Sequence, residues 1–451
     1  MNRRICWGVL LLLLAFPQPF TVWASGNPLQ KTAKFTPNVT EPMLEAEFWI
    51  RRTSDPDKVL LAPEETTRFN RQLAARFEFI KEIENHPEVS GKELKRRIGS
   101  YRLPYGENRY NARGEPMVDG LYDALREEMN LTALPEKVIP RWGVTVRRTS
   151  IRSFPTTQES LTAPDPDGFD LFQETEADIW TPLVILHRSK NGQWAFVQIY
   201  HYNGWMKLKD VAIADNKEAL FGFLNQPEFL VATGSWVESQ ITENGSPKIR
   251  FMMGTRIPLV PRERIPRELF RHNPQGNYVV WVPARDAKGL FRPVMAYIST
   301  QADVHPGYLP YTRRNLLKQV FKMLGERYSW GGTFEGRDCS RLLVDTYRTV
   351  GIMLPRNASE QMKVGLDCFE NNVGKCFDRL QPGAGLYMPG HAMLFIGNHD
   401  GKSYMIHSTA AYRNIPGEEI RPVRGVVVTD MSVLKEGIRS IRAAREFILP
   451  L

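Results

Sequence analysis

The sequence has few cysteines, with four in 451 residues. They lie at positions 6, 339, 368 and 376, and this spacing contains no Cys-x-x-Cys pair of the kind that binds zinc. We therefore predict that the protein uses no metal and no other cofactor.

Long apolar runs are missing after the N-terminus, so no later segment is predicted to span a membrane. The first residues, MNRRICWGVLLLLLAFPQPFTVWASG, combine a basic start, a short apolar run and small residues, as secretory signal peptides do. We predict a signal peptide over residues 1–24, cleaved after Ala24; the alternative is an uncleaved anchor. The mature protein is then exported to the periplasm, the cell envelope or the outside of the cell, with no stable membrane span.

The sequence also lacks a basic stripe with interleaved aromatic residues and any nucleic-acid-binding motif. The net charge of +9 favours anionic partners such as cell-wall polymers, membranes or nucleic acid, but it also fits a soluble protein that is simply basic. With 42% hydrophobic and 24% charged residues, the chain has the composition of a globular protein. Its length predicts several domains. Because these motifs are missing, nucleic acid is not a predicted partner.

Helical periodicity marks the first part of the mature chain, which we assign to residues 25–140. The stretch EETTRFNRQLAARFEFIKEIEN places Phe69, Leu73, Phe77 and Ile80 at helical spacing. A second stretch, DGLYDALREEMNL, repeats the pattern. We predict a helical N-terminal domain whose hydrophobic core contains these apolar stripes.

The sequence pattern changes after residue 140, where short β-rich runs alternate with Gly, Asn and Pro. Residues 141–215 and 216–305 are therefore predicted to form two small β-barrels in tandem. Helical spacing returns at the start of a last domain, residues 306–451. The predicted fold class is multidomain α+β.

Signal cleavage leaves three cysteines, an odd number that suggests one pair and one free thiol in an exported protein. Cys368 and Cys376 flank the short polar stretch FENNVGK and are predicted to close a small loop by a disulfide. Cys339 is then left free, which suits a nucleophile. The alternative is that all three thiols are unpaired.

Cys339 lies in YSWGGTFEGRDCSRLLVD, where two glycines precede an Asp-Cys-Ser triplet and an apolar run. Leu342, Leu343 and Tyr347 share one helical side, and Asp338 is a good N-cap residue. Cys339 would occupy the first helical turn, whose positive end stabilises a thiolate. The alternative is that Cys339 is simply a buried residue, as a lone cysteine on a helix more often is.

A thiol nucleophile needs a base, and two histidines are candidates because they lie on one predicted hairpin. His391 opens HAMLFIGN, His407 closes SYMIHSTA, and NHDGK between them predicts the turn. A three-residue loop over 399–401 would make His391 face Thr409 and put both imidazoles on the same side of the hairpin, where one can orient the other. A loop of even length would separate them.

These segments resemble the NlpC family of papain-like cell-wall cysteine peptidases, over roughly residues 310–445. The resemblance rests on RYSWGGT, GRDCSRLLVDTY, GIMLPRNASEQ, GAGLYMPGHAMLFIG and YMIHS, in that order. The upstream layout is similar to family members with an N-terminal helical segment and two bacterial SH3-like domains. GVTVRRTSIRSFPT and QWAFVQIYHYNGWMKLKDVA resemble the first of these. The last domain is then a papain-like α+β domain.

The resemblance implies roles for the catalytic residues. Cys339 matches the nucleophile, His391 the general base and His407 the group that orients the base. Tyr328 matches a tyrosine thought to stabilise the oxyanion, although it could equally serve only turn packing.

Asp338 and Ser340 match the pair that binds the free amine of an N-terminal L-alanine. In Asp338 this role can coexist with helix capping. Family members mostly have Gly after this Ser, and Arg341 in its place puts the local substrate contacts in doubt.

The implied reaction is hydrolysis of the γ-D-glutamyl–diaminopimelate bond in peptidoglycan stem peptides or murein fragments. The first SH3-like domain is expected to wall off the site. Two alternatives stay open at this point. One is an inactive cell-wall-binding protein, and the other is a papain-like amidase or acyltransferase acting on another substrate.

Overall fold

The computed structural model describes residues 36–165, 168–240, 248–268, 273–368, 377, 379–412, 421–434 and 437–448. The predicted signal peptide and Cys376 lie outside these residues. Within them, no helix has the length and apolar character needed to cross a membrane.

The N-terminal part is helical, as predicted. Its helices are α1 (Ala46–Ile50), α2 (Pro63–Arg76), α3 (Gly91–Ile98) and α4 (Asp119–Glu128). Helix α2 starts with proline, which lacks the N–H that a first-turn residue leaves unpaired. It buries Phe69 and Leu73 completely but ends at Arg76, so Phe77 and Ile80 lie beyond the helix in which they were predicted.

The first β-rich region forms a seven-stranded antiparallel sheet with the order β5-β4-β8-β7-β6-β3-β9. A separate pair, β1 (Val89–Ser90) and β2 (Lys137–Val138), precedes it. The seven strands are β3 (Arg141–Thr145), β4 (Thr149–Arg152), β5 (Gln173–Ala177), β6 (Pro182–Arg188), β7 (Trp194–Ile199), β8 (Tyr202–Lys207) and β9 (Val211–Ile213). We call this region the first barrel.

The second β-rich region starts with helix α5 (Lys217–Leu224) and forms three small antiparallel sheets. Strand β10 lies between β13 and β16, β11 pairs with β12, and β14 pairs with β15. The strands are β10 (Phe229–Ala232), β11 (Trp236–Glu238), β12 (Arg250–Met252), β13 (Arg256–Pro258), β14 (Asn277–Val282), β15 (Val294–Ser299) and β16 (Val304–Pro306). Its assignment as a second SH3-like domain stays a prediction.

Over the residues that the structure describes, the last domain has three α-helices and a six-stranded sheet with the order β17-β22-β18-β19-β20-β21. The helices are α6 (Arg313–Phe321), α7 (Cys339–Arg348) and α8 (Ala358–Gln361). The strands are β17 (Leu366–Asp367), β18 (Gly385–Met388), β19 (His391–His399), β20 (Lys402–Tyr412), β21 (Arg421–Asp430) and β22 (Ala443–Glu446). Helix α7 lies against β19 and β20.

One hydrophobic core joins the N-terminal helices to the last domain. Trp49 and Phe69 from the N-terminal helices share a buried cluster with Leu342 of α7 and Ile406 of β20. The N-terminal segment is therefore an integral support of the last domain. Helices, β-rich sheets and a mixed α/β domain follow one another in the predicted order.

Candidate active site

Cys339 is the first residue of α7, as the sequence predicts. Asp338 caps the helix, its side chain accepting a hydrogen bond of 3.0 Å from the backbone N–H of Arg341. The cysteine carries a free thiol and is 8% exposed. Its sulfur lies within hydrogen-bonding reach of the backbone N–H groups of Ser340 and of Ala392, the residue after His391.

The environment of Cys339 favours the thiol over the thiolate in the resting protein. Burial is the largest cause, and with the charge of Asp338 it raises the pKa of the Cys339 thiol to about 11. The two backbone N–H groups and Arg356 oppose this shift only in part. The backbone N–H of Ser340 at the helix start does favour the thiolate, as expected, but desolvation outweighs this effect in the resting protein.

His391 is the first residue of β19, and its imidazole is hydrogen-bonded to the imidazole of His407 on β20. His391 Nε2 and His407 Nδ1 are 2.7 Å apart. His407 Nε2 lies 3.0 Å from the hydroxyl of Thr429 on β21, a residue with no role in the sequence-based prediction. Burial lowers the pKa of His391 to about 4, so the ring is neutral at neutral pH and can accept a proton.

The two histidines share a face for a reason that the sequence did not reveal. The hairpin loop is only Asp400 and Gly401, because His399 pairs with Lys402, so the predicted three-residue loop was wrong. A β-bulge between Phe395 and Gly397 shifts the register by one residue before the histidines are reached. Leu394 then faces Ile406, as the longer loop would have required.

Tyr328 lies close to the thiol. Its backbone N–H donates to the carbonyl of Arg424 at 2.9 Å, and it forms an isolated bridge with Arg337. Burial, followed by the charges of Cys339 and Asp338, raises the pKa of the Tyr328 phenol far above its usual value. The phenol therefore stays protonated and able to donate a hydrogen bond.

Asp338 and Ser340 are tied together by Arg356. The Arg356 guanidinium donates to both carboxylate oxygens of Asp338, to the Ser340 hydroxyl at 2.8 Å, and to Thr175 of the first barrel at 2.6 Å. Arg356 keeps the pKa of Asp338 low against the effect of burial. The sequence reasoning quoted this arginine within GIMLPRNASEQ but gave it no role, since only the folded chain shows its partners.

Arg341 stands where related sequences mostly have glycine, and its side chain crosses to the first barrel. It is buried, pairs with Asp345 at 2.6 Å, and reaches Asp178 and the carbonyl of Glu176. Arg348, about two turns further along α7, binds the same Asp178 oxygen at 2.7 Å. The departure from the family pattern thus links the Cys339 helix to the first barrel.

The first barrel also covers the glycine loop ahead of Cys339. Gln173 donates to the carbonyl of Gly331 at 3.0 Å, and Arg148 donates to that of Gly332 at 3.1 Å. A Cβ on Gly331 would lie 2.8 Å from the Gln173 side chain, and Gly331 has a φ of +56°. Both the space and the backbone conformation thus require glycine here.

The predicted disulfide partner of Cys368 lies outside the described residues. Cys368 itself follows β17, and its pairing with Cys376 stays a prediction.

Comparison with known families assigns both domain types. Residues 325–431 match the NlpC/P60 family, and residues 162–207 match the SH3 domain of SH3b1 type. The last domain therefore carries the NlpC/P60 match and the first barrel the SH3-type match, which confirms the predicted fold class of an SH3-like region before a papain-like α+β domain. The resemblance drawn from the sequence is confirmed.

Solved structures are similar to this chain to different degrees. An NlpC/P60 endopeptidase from Photobacterium damselae subsp. piscicida is 17% identical with a TM-score of 0.69, and the match covers 91% of this chain and 96% of that one. An NlpC/P60 family protein from Bacillus cereus is 21% identical with a TM-score of 0.43, covering 61% of this chain and 83% of that one. The first likeness shows that the fold extends over nearly the whole chain. No curated protein matches the sequence.

Proposed function

We propose that the protein is an exported cysteine endopeptidase that hydrolyses the γ-D-glutamyl–diaminopimelate bond of peptidoglycan stem peptides. The observation that carries the proposal is the free thiol of Cys339 at the start of a buried helix, beside the hydrogen-bonded pair His391–His407. The NlpC/P60 assignment of the domain supports a cell-wall substrate.

His391 acts as the general base through Nδ1, because its Nε2 is engaged by His407. It takes the Cys339 proton as the sulfur attacks the γ-carbonyl carbon of D-glutamate. The neutral resting pair suits this step, since no charge is separated until the substrate is bound.

The oxyanion formed by this attack has two donors. The backbone N–H of Cys339 lies at a helix start, where no intrahelical acceptor exists, and the Tyr328 phenol lies close by. Protonated His391 then donates its proton to the amide nitrogen of diaminopimelate as the C–N bond breaks. The diaminopimelate amine leaves, and a thioester joins Cys339 to the γ-carbonyl carbon of D-glutamate. Water hydrolyses the thioester with His391 again as base, and the free thiol is restored.

Asp338 and Ser340 bind the free amine of the N-terminal L-alanine. An incoming ammonium would share the Asp338 carboxylate with Arg356, which already engages both of its oxygens. The requirement for a free N-terminal amine, which we call the amine gate, therefore needs its own test, separate from that of the nucleophile.

Digestion of L-Ala-γ-D-Glu-diaminopimelate, and of its N-acetylated form, tests both parts. We expect cleavage by the mature protein only, not by Cys339→Ala of unchanged melting temperature, and only with the free amine. Cleavage of both substrates would keep the peptidase and discard the amine gate. Cleavage of neither would point to a wall-binding protein or another acyl substrate.

Asp338→Asn separates amine binding from helix capping. If Asp338 binds the ammonium, the variant loses kcat/KM on the free-amine substrate. If it only caps α7, asparagine keeps the cap, and kcat/KM on the free-amine substrate stays close to that of the wild type.

A further inference from the structure

Three side chains form one hydrogen-bonded line across three neighbouring strands: His391 on β19, His407 on β20 and Thr429 on β21. The links are 2.7 Å between the imidazoles and 3.0 Å from His407 Nε2 to the threonine hydroxyl. Val427 pairs with His407, so Thr429 is its diagonal neighbour on the same sheet face. His407 and Thr429 are both buried, so water does not compete for these bonds.

A neutral imidazole carries one proton, and this fixes the possible arrangements of the line. In the first, His391 Nε2–H donates to His407 Nδ1, and His407 must then hold its own proton on Nε2. His391 Nδ1 is left bare and can accept a proton from Cys339. In the second, His407 Nδ1–H donates to His391 Nε2, which puts the His391 proton on Nδ1 and removes its basic site.

The first arrangement alone also fits the cation formed during attack. When His391 carries two protons, its Nε2–H still finds an acceptor at His407 Nδ1. In the second arrangement two N–H groups would face each other across 2.7 Å. The reaction therefore needs the proton of His407 on Nε2, where its partner is Thr429.

We propose that Thr429 is a positioning residue that orients the His407 ring and accepts its Nε2–H in the reactive arrangement. Its hydroxyl accepts the Nε2–H of His407, and this leaves His407 Nδ1 as the acceptor for His391. The proposal rests on the proposed function, because it assigns His391 as the base for Cys339.

Thr429→Val tests the proposal, since valine has nearly the shape of threonine but no acceptor. In the reactive arrangement the substitution leaves the Nε2–H of His407 unpaired in a buried site, and the His407 ring loses the contact that orients it. We expect kcat/KM to fall about 10- to 100-fold, mainly through kcat, by analogy with metal-bound histidines that lose the group orienting them. Thr429→Ser keeps the acceptor and should restore most of the activity.

A matched control is Thr53→Val. Thr53 is a buried threonine of the N-terminal segment whose hydroxyl donates to the carbonyl of Trp49 at 2.9 Å. It should lose stability as Thr429→Val does while keeping kcat. Equal losses of kcat in the two variants would make the Thr429 effect merely structural and overturn the proposal.

Nitrogen-15 NMR of wild-type protein with labelled histidines identifies the tautomer, and this measurement does not depend on peptidase activity. We expect the proton of neutral His407 on Nε2 and that of neutral His391 on Nε2 as well. A His407 proton on Nδ1 would overturn the proposal even if the peptidase is active, or if Thr429→Val fails to fold. If the tautomers are as expected but no peptide is cleaved, the proposed function fails and the proton arrangement stands.

Discussion

Replacing Asp178 with asparagine removes one charge from the contact between the first barrel and α7 while keeping the shape of the side chain. One Asp178 oxygen binds both Arg341 and Arg348, the latter at 2.7 Å. The other lies 3.9 Å from Arg148. The Asp178 side chain is 1% exposed, so water cannot replace the lost charge.

The size of the effect follows from the partners that remain. Removing one member of a buried ion pair costs about 3 to 5 kcal/mol, because the other charge stays buried. Asp345 still lies 2.6 Å from Arg341 and 3.5 Å from Arg348. We therefore expect the low end, about 3 kcal/mol, and a fall in melting temperature of about 6 °C at about 2 °C per kcal/mol.

Thermal unfolding of Asp178→Asn beside Glu115→Gln measures this cost. Glu115 forms an exposed pair with Arg113 at 3.0 Å, for which we expect less than about 1 kcal/mol. A double-mutant cycle with Arg341→Met then isolates the pair itself. Equal melting temperatures for the two single variants, or no coupling in the cycle, would refute the view that this contact stabilises the Cys339 helix.

Further predictions concern titration and the thiols. Because burial lowers the pKa of His391 to about 4, the acid limb of kcat/KM should lie near pH 4; a limb near the ordinary 6.5 would contradict the buried neutral base. The pKa of the Cys339 thiol, raised to about 11 chiefly by burial, predicts slow alkylation by iodoacetamide at neutral pH that accelerates toward alkaline pH, and pH-independent alkylation would exclude it. Burial also raises the pKa of Glu176 from 4.5 to about 7, so the folded protein binds a proton that the unfolded chain has released. The free energy of unfolding should then fall by about 3 kcal/mol as pH rises through this window, and Glu176→Gln should lack that fall in urea titrations at several pH values. Thiol titration of the denatured, unreduced mature protein should count one thiol if Cys368 and Cys376 are bonded, and three if they are not.

Local signals account for the parts of the site that the sequence anticipated. Asp338 is a capping residue directly before Cys339, and an apolar stripe follows, so the helix start needs no distant contact. The turn residues Asp400 and Gly401 both have positive φ, which suits a tight hairpin, and this ensures that β19 and β20 are neighbours. The order of these segments was enough to identify the family.

The tertiary structure decided what depends on residues far apart in the chain. The hairpin bulge restored the shared face of His391 and His407, although the loop length was predicted wrongly. Thr429 reaches His407 only through the register of a third strand. No periodicity or turn signal encodes such a register.

The charges around the Cys339 helix show the same division. By sequence alone, Arg341 was a departure from a family pattern and Arg356 was one residue in a quoted motif. In the folded chain Arg341 binds Asp178 of the first barrel, and Arg356 joins Asp338 to Thr175. A local pattern determines where a helix begins and which residue can be its nucleophile. Which buried charges surround that residue, and hence its pKa, is set by packing between distant segments.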